Sequence, residues 1–276
     1  MKQNGSHILF GLAISLISAA AIAQDSALET LDSWGRNRGW EGVGQLMISN
    51  RSTCTGTMIS ADLVLTAAHC VFDSEGLTPI APAQISFRAG WRNGSAVSER
   101  VGKALVIHPE FEPGSGNHVS ARRIRWDVAL VQLIDPIPQT HADPFRTDRA
   151  IRVDEEVSVV SYGRGRNNAA SRQRACQVLA KHSGVLALSC EAVPGSSGAP
   201  VFAIREGRPR VVAVISAIGD FDGREASFAT DIEQPLSKLL NELTAGRIFP
   251  PPANSARRLT VGTDDRDETG AKFVKP

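Results

Sequence analysis

The chain has 276 residues, with 30 Lys plus Arg against 29 Asp plus Glu for a formal charge of +1, and 42% hydrophobic residues. That length can bury one or two sizeable cores, and the balanced charge provides no field to hold the protein on nucleic acid or an anionic membrane. A single Tyr and 5% aromatic residues also exclude a base-stacking platform for single-stranded nucleic acid.

In chain order, Lys2 is followed by an apolar run from Ile8 to Ile22 that closes on Ala21-Ile22-Ala23, the pattern of a signal peptide. The run is shorter than the ~20 residues of a membrane-spanning helix. Residues 1–23 are therefore predicted to be a cleaved signal, leaving an exported protein without a membrane anchor, and 24–41 a polar lead or short propeptide. Short apolar segments then alternate with turn residues, predicting strands near Gln45–Ser49, Cys54–Ser60, Leu63–Thr66, Gln84–Trp91, Ser95–Ile107 and Asp127–Leu133. A second set falls near Glu155–Gly163, Ala175–Lys181, Val185–Glu191, Ala199–Arg205, Arg210–Ile218 and Ser227–Asp231. The Pro-containing stretch Asp135–Arg149 divides the sets, so the prediction is an all-β fold of two six-stranded antiparallel β-barrels, about 42–135 and 150–232, whose interface could hold a site. Leu236, Leu239, Leu240 and Leu243 share a helical stripe ahead of Gly246, predicting a C-terminal α-helix over 232–243 packed on the second barrel. The proline run at 250–252 and the charged stretch after it predict a flexible tail over 246–276.

The four cysteines, Cys54, Cys70, Cys176 and Cys190, lie in the exported part, where an even count favours two disulfides. Three pairings are possible, and Cys54 with Cys70 and Cys176 with Cys190 is preferred because each would join neighbouring apolar strands. Neither C-x-x-C nor H-E-x-x-H spacing occurs, which disfavours zinc. No nucleotide loop, haem motif or calcium-loop pattern is present, and no metal or cofactor is assigned.

The residues that carry chemistry arrive in three blocks: Leu65-Thr66-Ala67-Ala68-His69-Cys70, Trp126-Asp127-Val128-Ala129-Leu130 and Pro194-Gly195-Ser196-Ser197-Gly198-Ala199-Pro200. Singly, His69 could be a structural histidine beside a disulfide, Asp127 a cap and Ser197 a turn serine, but the ordered set is far more specific. The blocks resemble the histidine, aspartate and serine motifs of the chymotrypsin or trypsin clan of serine proteases. The segment from Cys190 to Val201 is especially similar to bacterial secreted members related to the V8 and glutamyl endopeptidases. In strand order the likeness extends over about 42–243, with close motif identity confined to the three blocks.

The resemblance implies that His69 is the general base for nucleophilic Ser197, that Asp127 fixes the tautomer and orientation of the imidazole and stabilises the imidazolium formed in the reaction, and that the N–H groups of Gly195 and Ser197 form the oxyanion hole. His108-Pro109 is another family-like pair but reads as a turn after a strand, His118, His141 and His182 have no motif around them, and neither Asp135 nor Asp143 opens a Val-Ala-Leu-Val strand as Asp127 does. The protein is thus expected to be a secreted or periplasmic serine endopeptidase, monomeric, acting on protein or peptide substrates. An α/β-hydrolase is disfavoured by the His, Asp, Ser order and by Ala199 in place of the second elbow glycine.

Two departures from the family qualify this expectation. Ser196 precedes the nucleophile where animal digestive members carry an aspartate that pairs with a freed N-terminus, so that activation switch is absent in its usual form. It is also the sole feature pointing to a protease-like binding protein without turnover. The first substrate pocket should be walled by Glu191, Ala192, Val193 and Ile215-Ser216-Ala217. An acid at Glu191 would favour Arg or Lys, whereas Ile215 replaces the histidine of the glutamyl enzymes and disfavours glutamate.

Overall fold

The computed structural model describes residues 27–50, 52–114 and 119–250, so the predicted signal and residues 251–276 of the tail lie outside the described residues. Six strands, β2 (Val43–Ile48), β3 (Ser52–Ser60), β4 (Leu63–Thr66), β5 (Ile85–Ala89), β6 (Ser98–Ile107) and β7 (Ala129–Leu133), close a first antiparallel barrel in the order β2-β3-β4-β7-β6-β5. A second barrel is made by β8 (Glu156–Ser161), β9 (Ser171–His182), β10 (Val185–Leu188), β11 (Pro200–Arg205), β12 (Arg208–Phe221) and β13 (Arg224–Asp231), with β8 paired to both β11 and β9. All twelve predicted strands are present. The physical basis is alternation: in β5, Ile85, Phe87 and Ala89 are buried while Ser86 and Arg88 are only partly so, the period of a half-covered strand. Where one strand must turn the barrel wall, the register shifts, as between Val157 and Val159 against β9.

Each barrel fills with its own inward side chains. Leu46, Met58, Leu65, Phe87 and Leu130 occupy the first, and Val159, Val178, Leu186, Val201 and Ile215 the second. The seam between them is aromatic. Trp40, Phe145 and Phe202 meet with ring centroids 4.7–5.8 Å apart, and the buried Tyr162 donates its hydroxyl to Trp91 O across the seam at 2.9 Å.

Several expectations need correction. The lead before Gly42 is built into the fold over its described part: β1 (Leu28–Thr30) adds to the edge of β9, and Leu31 is buried. A short helix, α1 (Trp34–Asn37), follows, with Ser33 as its N-cap. The strand predicted from Asp127 starts at Ala129, because α2 (Ala121–Arg125) occupies the approach.

The C-terminal helix, α3 (Pro235–Thr244), begins on a proline at its first turn and packs chiefly against β6 of the first barrel rather than chiefly against the second. Its buried stripe is narrower than predicted, since Leu236 and Leu239 are buried whereas Leu240 is 41% exposed. The predicted tail also starts later than 246. Phe249 exchanges both backbone hydrogen bonds with Leu105 at 2.8 Å, strapping 247–250 to β6.

Candidate active site

His69 enters the seam on a 3-10 turn, Ala68–Val71, that ends β4. Cys70 beside it is bonded to Cys54 of β3, and Cys176 to Cys190, the preferred pairing in both cases. His69, Cys54 and Cys70 cluster closely enough to suggest metal ligands, but the disulfide uses both sulfurs, so the residues do not make a zinc site.

Asp127 is delivered by α2. Ser120 caps that helix by accepting the Arg123 N–H, and Trp126 ends it, sandwiched between the His108 ring, 4.5 Å away and nearly parallel, and the Arg125 guanidinium. His108 accepts the Glu110 N–H at Nδ1, which suits a neutral ring, and burial pushes it down to about 4. The Asp127 N–H then donates to Ile124 O, turning the carboxylate inward.

That carboxylate clamps His69 twice. Oδ2 lies 2.6 Å from Nδ1, and Oδ1 accepts the His69 backbone N–H at 2.8 Å. Ser216 adds a third bond, its hydroxyl donating to Oδ2 at 2.5 Å. Burial alone would push His69 down, yet the Asp127 charge and hydrogen bond more than offset it, and the imidazole sits above its ordinary value with Arg123 opposing. Burial likewise works to raise Asp127, but His69 and the donated hydrogen bonds hold it below the usual carboxylate range.

Ser197 stands on the turn between Cys190 and β11. Its carbonyl accepts the Thr55 N–H at 2.8 Å, and the Thr55 hydroxyl donates to Gly195 O at 3.0 Å, so β3 grips the turn at two points. Gly198 makes this approach possible: at φ +81°, a Cβ there would lie 2.2 Å from both Thr55 O and Thr66 Oγ1 and 3.1 Å from Ala67 N. Residue 197 is thus held against the end of β4, from which His69 projects. Among the described residues no hydrogen bond joins Ser197 Oγ to His69.

The turn also orients two donors. The N–H of Ser196 goes to Val193 O and that of Gly198 to Ile215 O, whereas among the described residues the N–H groups of Gly195 and Ser197 have no acceptor within the chain. Gly195 adopts φ +100°, a conformation that side chains disfavour.

The expected pocket residues fare differently. Ser216 is buried and its hydroxyl faces Asp127, so it supports the acid rather than lining a pocket with its side chain. Ala192 is buried in the core of the second barrel. Glu191 is exposed, its N–H donating to Gln173 Oε1 at 2.7 Å, and its charge acts on Arg166. The sequence reading missed Thr55, Ser161 and Arg166; Thr55 and Gly195 are 140 positions apart, and no local pattern announces such a contact.

Residues 54–214 match the family model described as a trypsin-like peptidase domain. Scolexin B of Heliothis virescens is 34% identical over 92 residues, 31% of this chain and 30% of the relative. Clotting factor C of Tachypleus tridentatus is 33% identical over 93 residues, 32% of this chain but 8% of the relative. The chain therefore spans less than a third of the length of either curated relative. Among solved structures, a Glu endopeptidase superposes with a TM-score of 0.63 at 15% identity, covering 82% of this chain and 100% of the other. A thermostable serine protease from an extremophilic microorganism gives 0.60 at 17% identity, covering 74% and 97%. An inactivated protease paralogue of the scabies mite gives 0.60 at 16%, covering 76% and 95%. At such identities the structures share the fold with this chain.

Proposed function

The chain belongs to the trypsin-like peptidase domain family, and from that premise we propose that it is a secreted serine endopeptidase working through an acyl-enzyme on Ser197. The observation that carries the proposal is the double clamp of Asp127 on His69 beside a turn holding two undonated N–H groups. His69 Nε2 takes the proton from Ser197 Oγ as that oxygen attacks the peptide carbonyl carbon. The carbonyl oxygen becomes an oxyanion that accepts from the Gly195 and Ser197 N–H groups. Asp127 keeps the proton on Nδ1, which leaves Nε2 free to accept and stabilises the imidazolium. The C–N bond then breaks, His69 returns its proton to the leaving amine, and water repeats the sequence to release the acid and restore the serine.

Burial of the Asp127 carboxylate behind Ser216 supports this assignment over the rival acids, since a fixed, desolvated partner orients the imidazole best. We read Glu191 as a partner of Arg166 rather than as the floor of a cation pocket. A peptide-library profile dominated by Arg or Lys before the cleaved bond, and losing that dominance in Glu191→Gln, would reverse the Glu191 reading.

The direct test is labelling with a fluorophosphonate. The native chain should be labelled, Ser197→Ala should not, and its turnover of library peptides should fall by about a millionfold. Equal labelling of both proteins would end the proposal.

A further inference from the structure

Behind the turn that carries Ser197 lies a buried polar layer built around one cation. Ser196 is 1% exposed, and its hydroxyl accepts the Val193 N–H at 3.2 Å and faces Ser161 Oγ at 3.4 Å. Into the same space reaches Arg166. Nη1 donates to the Ser161 carbonyl at 3.0 Å and its hydroxyl at 3.2 Å, while Nη2 reaches Ser161 Oγ at 3.2 Å and Ser196 Oγ at 3.4 Å.

The loop bearing Arg166 is the bed on which the turn rests. The Arg164 N–H donates to Pro194 O at 2.8 Å, and Gly163 is so closely covered that a Cβ would meet Val193 Cγ2 at 2.5 Å and Arg166 Cζ at 3.1 Å. A half-buried guanidinium needs a countercharge and a full set of acceptors to persist. The charge of Glu191, in the very segment Arg166 supports, favours the cation without an ion pair joining the two among the described residues. The N-terminal strand takes no part in this layer through its backbone, since β1 is paired to β9 and the Leu31 N–H donates to Ala170 O.

We propose that Arg166 is a positioning residue for the oxyanion turn: together with Ser161 it holds Ser196, and so the Gly195 and Ser197 N–H groups, in the working orientation from within the folded chain. This rests on the peptidase reading above. Arg166 touches no reacting atom and acts through Ser196. A turn held this way is ready as soon as the second barrel closes, with no pairing of a freed N-terminus required.

The test compares kcat, KM and thermal midpoint for the native chain, Arg166→Ala, Arg166→Lys and Ser196→Ala on one library-derived peptide, with and without added guanidinium chloride at tens of millimolar. Removing an oxyanion donor outright typically lowers kcat by about 100-fold or more. Loosening both should lower it by about 30-fold in Arg166→Ala while KM changes less than about threefold. Guanidinium should restore about fivefold or more of the lost kcat in that variant alone, because the vacated site is half open to solvent. Arg166→Lys and Ser196→Ala should fall between the extremes.

Arg166→Ala with native kcat would overturn the role. So would a loss of kcat that follows the thermal midpoint and is not rescued by guanidinium. A native chain that neither cleaves peptides nor takes the fluorophosphonate would instead overturn the peptidase reading and this inference with it, an outcome distinguished by the native chain alone.

Discussion

In the proposed mechanism the charge state of one imidazole decides whether Ser197 can be deprotonated, and burial together with two charged neighbours sets it. Burial lowers His69, Asp127 more than offsets that, and Arg123 lowers it. Under the proposed mechanism activity needs the neutral ring, so it should be present above the His69 pKa and lost as pH falls through it. Arg123→Gln removes a cation that disfavours the imidazolium. The acidic limb of kcat/KM should therefore move to higher pH, while the plateau at alkaline pH stays within about twofold. A limb that stays in place or moves to lower pH would show that Arg123 acts through Phe111 packing or its bond to Gly114 O and not through charge. At this scale the sequence was most readable where ordered motifs bring distant residues together: His69 and Asp127 are in contact, and Gly195 and Ser197 share the turn that β3 grips. Ser216 and Ala192 were placed only by backbone position along the chain, and the direction of a side chain is decided by partners the chain meets far away, Asp127 in one case and the barrel core in the other.

Among elements, the strands were legible because two-residue alternation is written directly into the sequence. The helix α2 was not, because five residues make barely more than one turn, too little for a periodic stripe, and β1 has three residues. Yet α2 is the element that aims Asp127, and its end depends on the His108 ring stacked on Trp126. His108 titrates at about 4 in the folded protein against an ordinary 6.5, so as pH falls below 6.5 the unfolded chain takes up a proton that the folded chain refuses. The contribution to stability is complete above 6.5 and declines as pH drops toward 4. His108→Phe keeps the stacking but removes the titration. Urea unfolding midpoints of the variant should fall less between pH 7 and 5 than those of the native chain. Parallel declines would mean that His108 ionises freely in the fold. The direction in which α3 packs was also beyond sequence reading: an apolar stripe announces that a face is covered, not which barrel covers it.

For the molecule as a whole, the segment before Gly42 illustrates how composition misleads about integration. It reads as polar, but Leu31 is buried to 1% exposure in the core shared with the first barrel and the seam, and β1 extends the second barrel. A lead that could be trimmed freely would tolerate any residue there. Leu31→Ala should instead lower the unfolding free energy by about 2–4 kcal/mol, as for other buried leucines. Unchanged urea curves would restore the view of residues 24–41 as a detachable propeptide.

The two barrels are also not independent bodies resting on each other. Thr55, from the first, accepts the Tyr162 N–H at 3.0 Å and donates to Gly195 O, while its own N–H meets Ser197 O. One threonine thus fastens the halves and shapes the Ser197 turn with the same few atoms. If the chain is the proposed peptidase, a molecule that gapes along this line loses its cutting power by that motion. In a warm, partly opened population the gaping copies would then be prey for intact ones without being predators themselves, so self-digestion should slow as the intact fraction shrinks.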